Sequence, residues 1–215
     1  VIGAVIGGLL YLWICFTGDS TGSLFRASVA VLIPLIVTGG IHLDGLLDTA
    51  DALSSYKTME EKLEILKDSH TGAFAIIVGC AWFILSLGVW SEVRPEMMPV
   101  LAVSFVLSRA LSGLAVGGFS EGEKYRAGCH LLRDGGKTHG GSYHCAASSC
   151  FLAHWPSGWI RFTVYRWILA AGLVFFYYYG CQKEFGGITG DLAGYFLQQT
   201  ELLLVAILAV WYHLV

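Results

Sequence analysis

The chain has 215 residues, with 13 Lys and Arg against 16 Asp and Glu, a formal net charge of −3, 55% hydrophobic residues and only 13% charged ones. That balance excludes nucleic acid as a partner, which calls for a basic surface. Combined with several uncharged runs of about twenty residues, it marks an all-α, polytopic integral membrane helical bundle rather than a soluble domain.

The first apolar run, Val1 to Thr17, is just long enough for a span, and the chain begins inside it without a signal-peptide n-region or cleavage site. The expectation is a single membrane domain over 1–215 that is incomplete at its N-terminus. Gly18 to Gly22 reads as a turn. A second uncharged run, Ala27 to Ile41, contains Pro34, which neighbouring helices can accommodate in a membrane. It leads straight into an acidic segment, 42–70. The stretch Gly39 to Gly72 holds seven of the sixteen acidic residues, between runs that carry no charge. Charge beside a bilayer is expensive, so this segment is the first candidate for function.

Asp44, Asp48 and Asp51 are spaced i, i+4, i+7, which stacks them on one helix face. Three like charges so close repel one another, and a divalent cation removes the conflict. Hard oxygen donors without a nearby Cys suit Mg²⁺ (or Mn²⁺) rather than Zn²⁺, and Mg²⁺ takes one or two carboxylates and completes its shell with water and substrate phosphates. A solvated acidic face at a helix end is the alternative. His42 is a candidate metal ligand, phosphate partner or general base, or a polar anchor at the boundary. Thr58 and Glu61 predict a capping box, and Met59, Leu63 and Leu66 the apolar stripe of a short helix. It ends at Lys67-Asp68-Ser69-His70, where Lys67 can hold a phosphate and Asp68 can serve as a further acid. An ordinary helix C-terminus explains the same residues.

Thr71 to Trp90 and Met97 to Gly118 are the next predicted spans. Arg109 lies near the middle of the second and requires a partner, either a substrate phosphate or a structural acid. Ser112-Gly113 and Gly117-Gly118 offer sites for close helix approach. The segment 119–158 is atypically polar. Its Cys129, Cys145 and Cys150 and its scattered His fit no familiar zinc spacing. Phe162 to Tyr179 and Leu202 to Val215 read as the remaining spans. Between them, Phe185 to Asp191 forms a glycine-rich turn beside an acid, able to approach a phosphate closely.

Several of these strings resemble the signature of the cobalamin synthase family, the adenosylcobinamide-GDP ribazoletransferases. They are G-G-x-H-x-D-G-L-x-D-T-A-D over 39–51, K-D-S-x-x-G over 67–72, S-R-A over 108–110 and G-G-x-T-G-D-x-x-G over 186–194. The resemblance covers most of the chain and departs from the family pattern over 120–158, through real divergence or a local frameshift. It departs again at Gln198, where the family has an acid three residues before Glu201. It implies a transferase that joins adenosylcobinamide-GDP to α-ribazole, or its 5′-phosphate, to give adenosylcobalamin or its phosphate plus GMP. The catalytic candidates are then Asp44, Asp48, Asp51, His42 and Asp68. The substrate-binding candidates are Lys67, Ser69, Arg109, Thr189, Gly190, Asp191 and Glu201. Mg²⁺ would be held by Asp44, Asp48, Asp51 and Asp191. A membrane phosphotransferase of CDP-alcohol type is an alternative, but its D-x-x-D-G-x-x-A-R string is absent. A transporter would spread its charges over several helices at mid-depth, whereas these crowd one boundary stretch.

If the acidic segment and the Gly-Asp turn share a site, an even number of crossings separates them, and a fourth crossing near 139–157 is required. Lys57, Lys62 and Lys67 then lie on one side with Lys124, Arg126, Arg133 and Lys137. The positive-inside rule makes this a multi-pass protein of the cytoplasmic (inner) membrane with its active site facing the cytoplasm. The sequence is compatible with a homo-oligomer.

Overall fold

The structure, a computed structural model, describes residues 1–18, 20–68, 70–118, 172, 176, 177 and 179–214. Its helices are α1 (Ile2–Thr17), α2 (Ser23–Thr38), α3 (Ile41–Ser54), α4 (Met59–Ile65), α5 (Ala73–Ser91), α6 (Met98–Gly118) and α7 (Gly190–Leu214), with a 3₁₀ turn at Pro95–Met97 before α6. Residues 179–185 are also helical, and no strand occurs among the described residues. This is the expected all-α bundle. Ser69, the polar segment 119–158, the crossing sought near 139–157 and most of 162–179 lie outside the described residues.

Three helical stretches are long and apolar enough to cross a membrane, namely Ala73–Ser91, Pro95–Gly113 and Gly190–Leu214. A fourth candidate is the pair α2 and α3, bent by 94° at its break. Phe74, Ile76, Ile77, Ile84 and Leu85 of α5 face outward. In water such a surface would drive aggregation, but lipid tails are as apolar as these side chains. The core behind α5 is built from Ile6, Leu10 and Ile14 of α1, Leu101 and Phe105 of α6, and Val205 and Leu208 of α7. The α1 residues follow an i, i+4, i+8 stripe.

Close helix approach occurs at two glycines of α1. A Cβ on Gly3 would strike the Phe105 carbonyl, and one on Gly7 would lie 2.6 Å from the Ala102 carbonyl oxygen. The small residues that let α1 settle on α6 are therefore Gly3 and Gly7, four apart. A Cβ on Gly113 meets nothing within 4 Å among the described residues.

The sequence also reads as one run through Ala27–Ile41, but α2 stops at Thr38. Gly39 and Gly40 take φ of 63° and 79°, a left-handed geometry that costs glycine little. Two such residues in succession turn the chain sharply, and α3 leaves across the end of the bundle. At the other end, buried Arg26 donates hydrogen bonds to the Gly18 and Val93 carbonyls. There Glu92 also pairs with His213 at 3.1 Å. The two ends thus differ in chemistry: one is a set of tied loops, the other carries α3, α4 and the N-termini of α5 and α7.

Candidate active site

Helix α3 buries Leu46, Thr49, Ala50 and Ala52 against the bundle. Asp44, Asp48 and Asp51 lie together on the face predicted from their spacing, with Asp44 exposed and the other two half-buried. His42, in the first turn, is half-buried.

The glycines of two distant motifs join α3 to α7. A Cβ on Gly45 would lie 2.5 Å from the Asp191 carbonyl oxygen and 2.9 Å from its Cα. A Cβ on Gly194 would lie 3.1 Å from the His42 carbonyl oxygen and 3.2 Å from its Cα. Gly45 therefore meets residue 191 while Gly194 meets residue 42, so the helices run antiparallel with their backbones in contact. That contact brings Asp191 to the acidic face, where the charges of Asp44, Asp191 and Asp51 all bear on Asp48. The acidic segment and the Gly-Asp turn share one end of the bundle.

Asp51 has a second task. Its Oδ2 accepts from the Gly72 N–H at 2.6 Å and its Oδ1 from the Ala75 N–H at 2.9 Å. These are N-terminal donors of α5 that have no partner within the helix. Any Cβ on Gly72 would fall within 2.6 Å of the same carboxylate. Thr189 likewise caps α7, its Oγ1 accepting from the Leu192 N–H at 3.3 Å. Gly190 follows as the first residue of α7, exposed and with open space around it among the described residues.

Below this face, Arg109 Nη2 lies 3.1 Å from Glu201 Oε1, and Ser108 Oγ donates to the same oxygen at 2.9 Å. Glu201 is buried, and Arg109 nearly so. The partner demanded by an arginine within a span is thus an acid on α7. Neither Nε nor Nη2 of Arg109 makes a well-aligned hydrogen bond among the described residues, so Glu201 meets it as an ion pair, and the charge of Arg109 also reaches His42.

Helix α4 carries the expected capping box. The Thr58 N–H donates to Glu61 Oε2 at 3.1 Å, and the Glu61 N–H to Thr58 Oγ1 at 3.5 Å. Sequence reasoning missed what anchors this helix. Lys62 is buried and donates to Glu184 at 2.5 Å, while Met59 packs against Gly186. No local pattern links residues 122 apart. Beyond α4, Lys67 and Asp68 are exposed. The Asp68 carboxylate pairs with His70 Nδ1 at 2.6 Å. The hydrogen bond from the ring holds Asp68 below the ordinary carboxylate range and raises His70 above its own. Ser69, between them, lies outside the described residues.

Among the described residues, no three His, Cys, Asp or Glu side chains converge closely enough to enclose a cation alone. The donor set is nonetheless the hard, all-oxygen kind that Mg²⁺ takes, and Asp48 sits among three further carboxylates. A metal bound through one or two carboxylates, with water and phosphate completing its shell, matches this more open arrangement.

The family model described as cobalamin-5-phosphate synthase matches residues 1–209. A protein of Lachnoclostridium phytofermentans named adenosylcobinamide-GDP ribazoletransferase is 36% identical over 94% of this chain and 78% of its own length. Proteins of the same name from Clostridium perfringens and Desulfitobacterium hafniense are 32% and 30% identical. They match over 93% and 94% of this chain and 80% and 81% of their own lengths. No solved structure matches.

Proposed function

The chain belongs to the cobalamin-5-phosphate synthase family, and from that premise we propose how its residues carry the reaction for which its relatives are named. It is an adenosylcobinamide-GDP ribazoletransferase, acting in assembly of the cobalamin nucleotide loop. A hydroxyl of α-ribazole, or of its 5′-phosphate, attacks the phosphorus that stays on the cobinamide. One P–O bond forms, the bond to the bridging oxygen of the pyrophosphate breaks, and GMP leaves with that oxygen.

The observation that carries the mechanism is the docking of Gly45 on the backbone of Asp191. It assembles one acidic surface from two helices that are far apart in sequence. Asp44, Asp48 and Asp191 are the residues to hold Mg²⁺, with Asp51 fixed beside them by the N-terminus of α5. When bound, the ion neutralises the pyrophosphate and stabilises charge on the leaving oxygen. Lys67 and the Nε of Arg109 supply donors to phosphate oxygens, while Glu201 and Ser108 fix the position of the guanidinium. Thr189 holds the first turn of α7 so that Gly190 presents open backbone beside Asp191. Asp48 or His42 takes the hydroxyl proton, both being half-buried and close to the acidic face. The surface with Lys57, Lys67 and Lys183 faces the cytoplasm, at the inner membrane.

Purified protein in liposomes, given adenosylcobinamide-GDP and α-ribazole, should release GMP and form corrinoid product only with Mg²⁺. Asp48→Asn should abolish turnover while the protein remains folded. Full activity without divalent cations would refute the metal assignment. Absence of product from folded wild-type protein would refute the reaction.

A further inference from the structure

A cavity of about 410 Å³ lies beside the acidic surface, between α3, α7 and the helical residues around 180. That size falls in the usual range for small-molecule sites, roughly 300–1,000 Å³. Its walls are mostly apolar and aromatic, with Tyr195, Phe196 and Tyr177 among them. The rings of Tyr177 and Phe196 pack at 4.7 Å. The polar wall residues are Thr49, Glu184, Gln199 and Thr200, and Glu184 is already paired with Lys62. Thr49 is 1% exposed, and its hydroxyl has no hydrogen-bond partner among the described residues. A stranded buried hydroxyl is costly unless a ligand or water completes it.

The position of the cavity narrows the choice of ligand. Thr49 follows Asp48 directly on α3, and Tyr195 lies one turn from Asp191 on the same face of α7. None of the four acidic-face carboxylates lines the cavity, which lies within about one helical turn of Asp48 and Asp191. We infer that this cavity binds the flat, bicyclic aromatic base of the ribazole, with Thr49 donating to a ring nitrogen and the ribose directed to Asp48 and Asp191. The inference rests on the reading of the chain as a ribazoletransferase. A benzimidazole nucleoside has the required character, an apolar aromatic body with one polar acceptor and a hydrophilic sugar. The guanine of adenosylcobinamide-GDP is also flat and bicyclic, and the separate KM values for the two substrates distinguish it from the ribazole base.

Gly180 lines the cavity, and a Cβ there meets nothing within 4 Å among the described residues. Gly180→Leu therefore adds bulk at the cavity wall from an unobstructed Cβ, in a helical position where Leu is the better residue. Thr49→Val removes the hydroxyl at nearly constant shape. Steady-state kinetics in liposomes, varying each substrate in turn, test the inference. Gly180→Leu should raise KM for α-ribazole about tenfold or more while KM for adenosylcobinamide-GDP stays within about twofold. Thr49→Val should raise the same KM by about three- to tenfold, the worth of one hydrogen bond. Unchanged KM for α-ribazole in both variants would overturn the inference and leave the cavity to a lipid chain. An equal rise in both KM values would overturn it as well. If Gly180→Leu does not fold, Thr49→Val decides alone. If wild-type protein releases no GMP, the reaction itself is refuted. Equilibrium binding of radiolabelled α-ribazole to the same three proteins then decides the cavity separately.

Discussion

Gly45→Ala adds one methyl group at the contact between α3 and α7, and its consequences can be worked through. Ala is the better helix former, which favours the variant by about 1 kcal/mol. The new Cβ would lie 2.5 Å from the Asp191 carbonyl oxygen, where unstrained contact begins near 3.4 Å. The obstacle is backbone, so the helices themselves must part by roughly 1 Å. Overpacking of this kind costs about 1–3 kcal/mol. The two terms largely offset each other, and the variant should fold with a loss of about 2 kcal/mol at most. Catalysis has no such offset. Separating Asp191 from Asp44 and Asp48 by roughly 1 Å should lower turnover about 100-fold, the usual sensitivity of an aligned site. The assay is GMP release in liposomes, beside thermal unfolding in detergent. Gly88→Ala is the control, since its Cβ meets nothing within 4 Å among the described residues. A Gly45→Ala enzyme with wild-type turnover would refute the claim that this contact sets the site.

Further expectations concern the supports of the site. Asp51→Ala removes the cap of α5 and should cost about 1–2 kcal/mol in thermal unfolding, with Asp51→Asn recovering part of it. Arg109→Leu or Glu201→Leu alone strands a buried charge and should destabilise by about 3–5 kcal/mol. The double variant should regain most of that stability without regaining turnover, because the phosphate donor is gone. Equal losses in single and double variants would refute the pairing. His70 should titrate above the ordinary histidine value of 6.5 by NMR, and return towards it in Asp68→Asn. The sign follows from both partners. Asp68 is depressed, so its share of the contact is lost as pH falls through that lowered value. His70 is raised, so its share is lost as pH rises through that raised value. The contact therefore holds between the two. Both groups are exposed, and folding stability should not register the titration.

What the sequence revealed of this site follows from periodicity and chain-local pattern. The i, i+4, i+7 acids, the capping box at Thr58 and the long apolar runs are local and could be read directly. The bend was written as Gly39-Gly40, yet an uncharged run on its N-terminal side concealed where the helix ends. The glycines at 45 and 194 stood inside recognisable strings. Their purpose, backbone contact between helices, exists only in the folded chain. Asp51 could be read as a ligand but not as a cap, because the N–H groups it serves lie 21 and 24 residues further on. The acid that meets Arg109 was equally hidden, since no spacing rule connects α6 to α7.

For the proposed site, the right angle between α2 and α3 decides where the chemistry can happen. A straight continuation would have carried the carboxylates along the axis of a span, within reach only of molecules small enough to thread between helices. Turned through 94°, α3 instead forms part of a floor at the end of the bundle. A substrate far larger than the protein's interior can rest on such a floor and lower only its pyrophosphate to the acids. The bilayer then acts as a fixed wall that confines the encounter to a surface. A macrocycle soluble in water needs no passage into hydrocarbon to be used there.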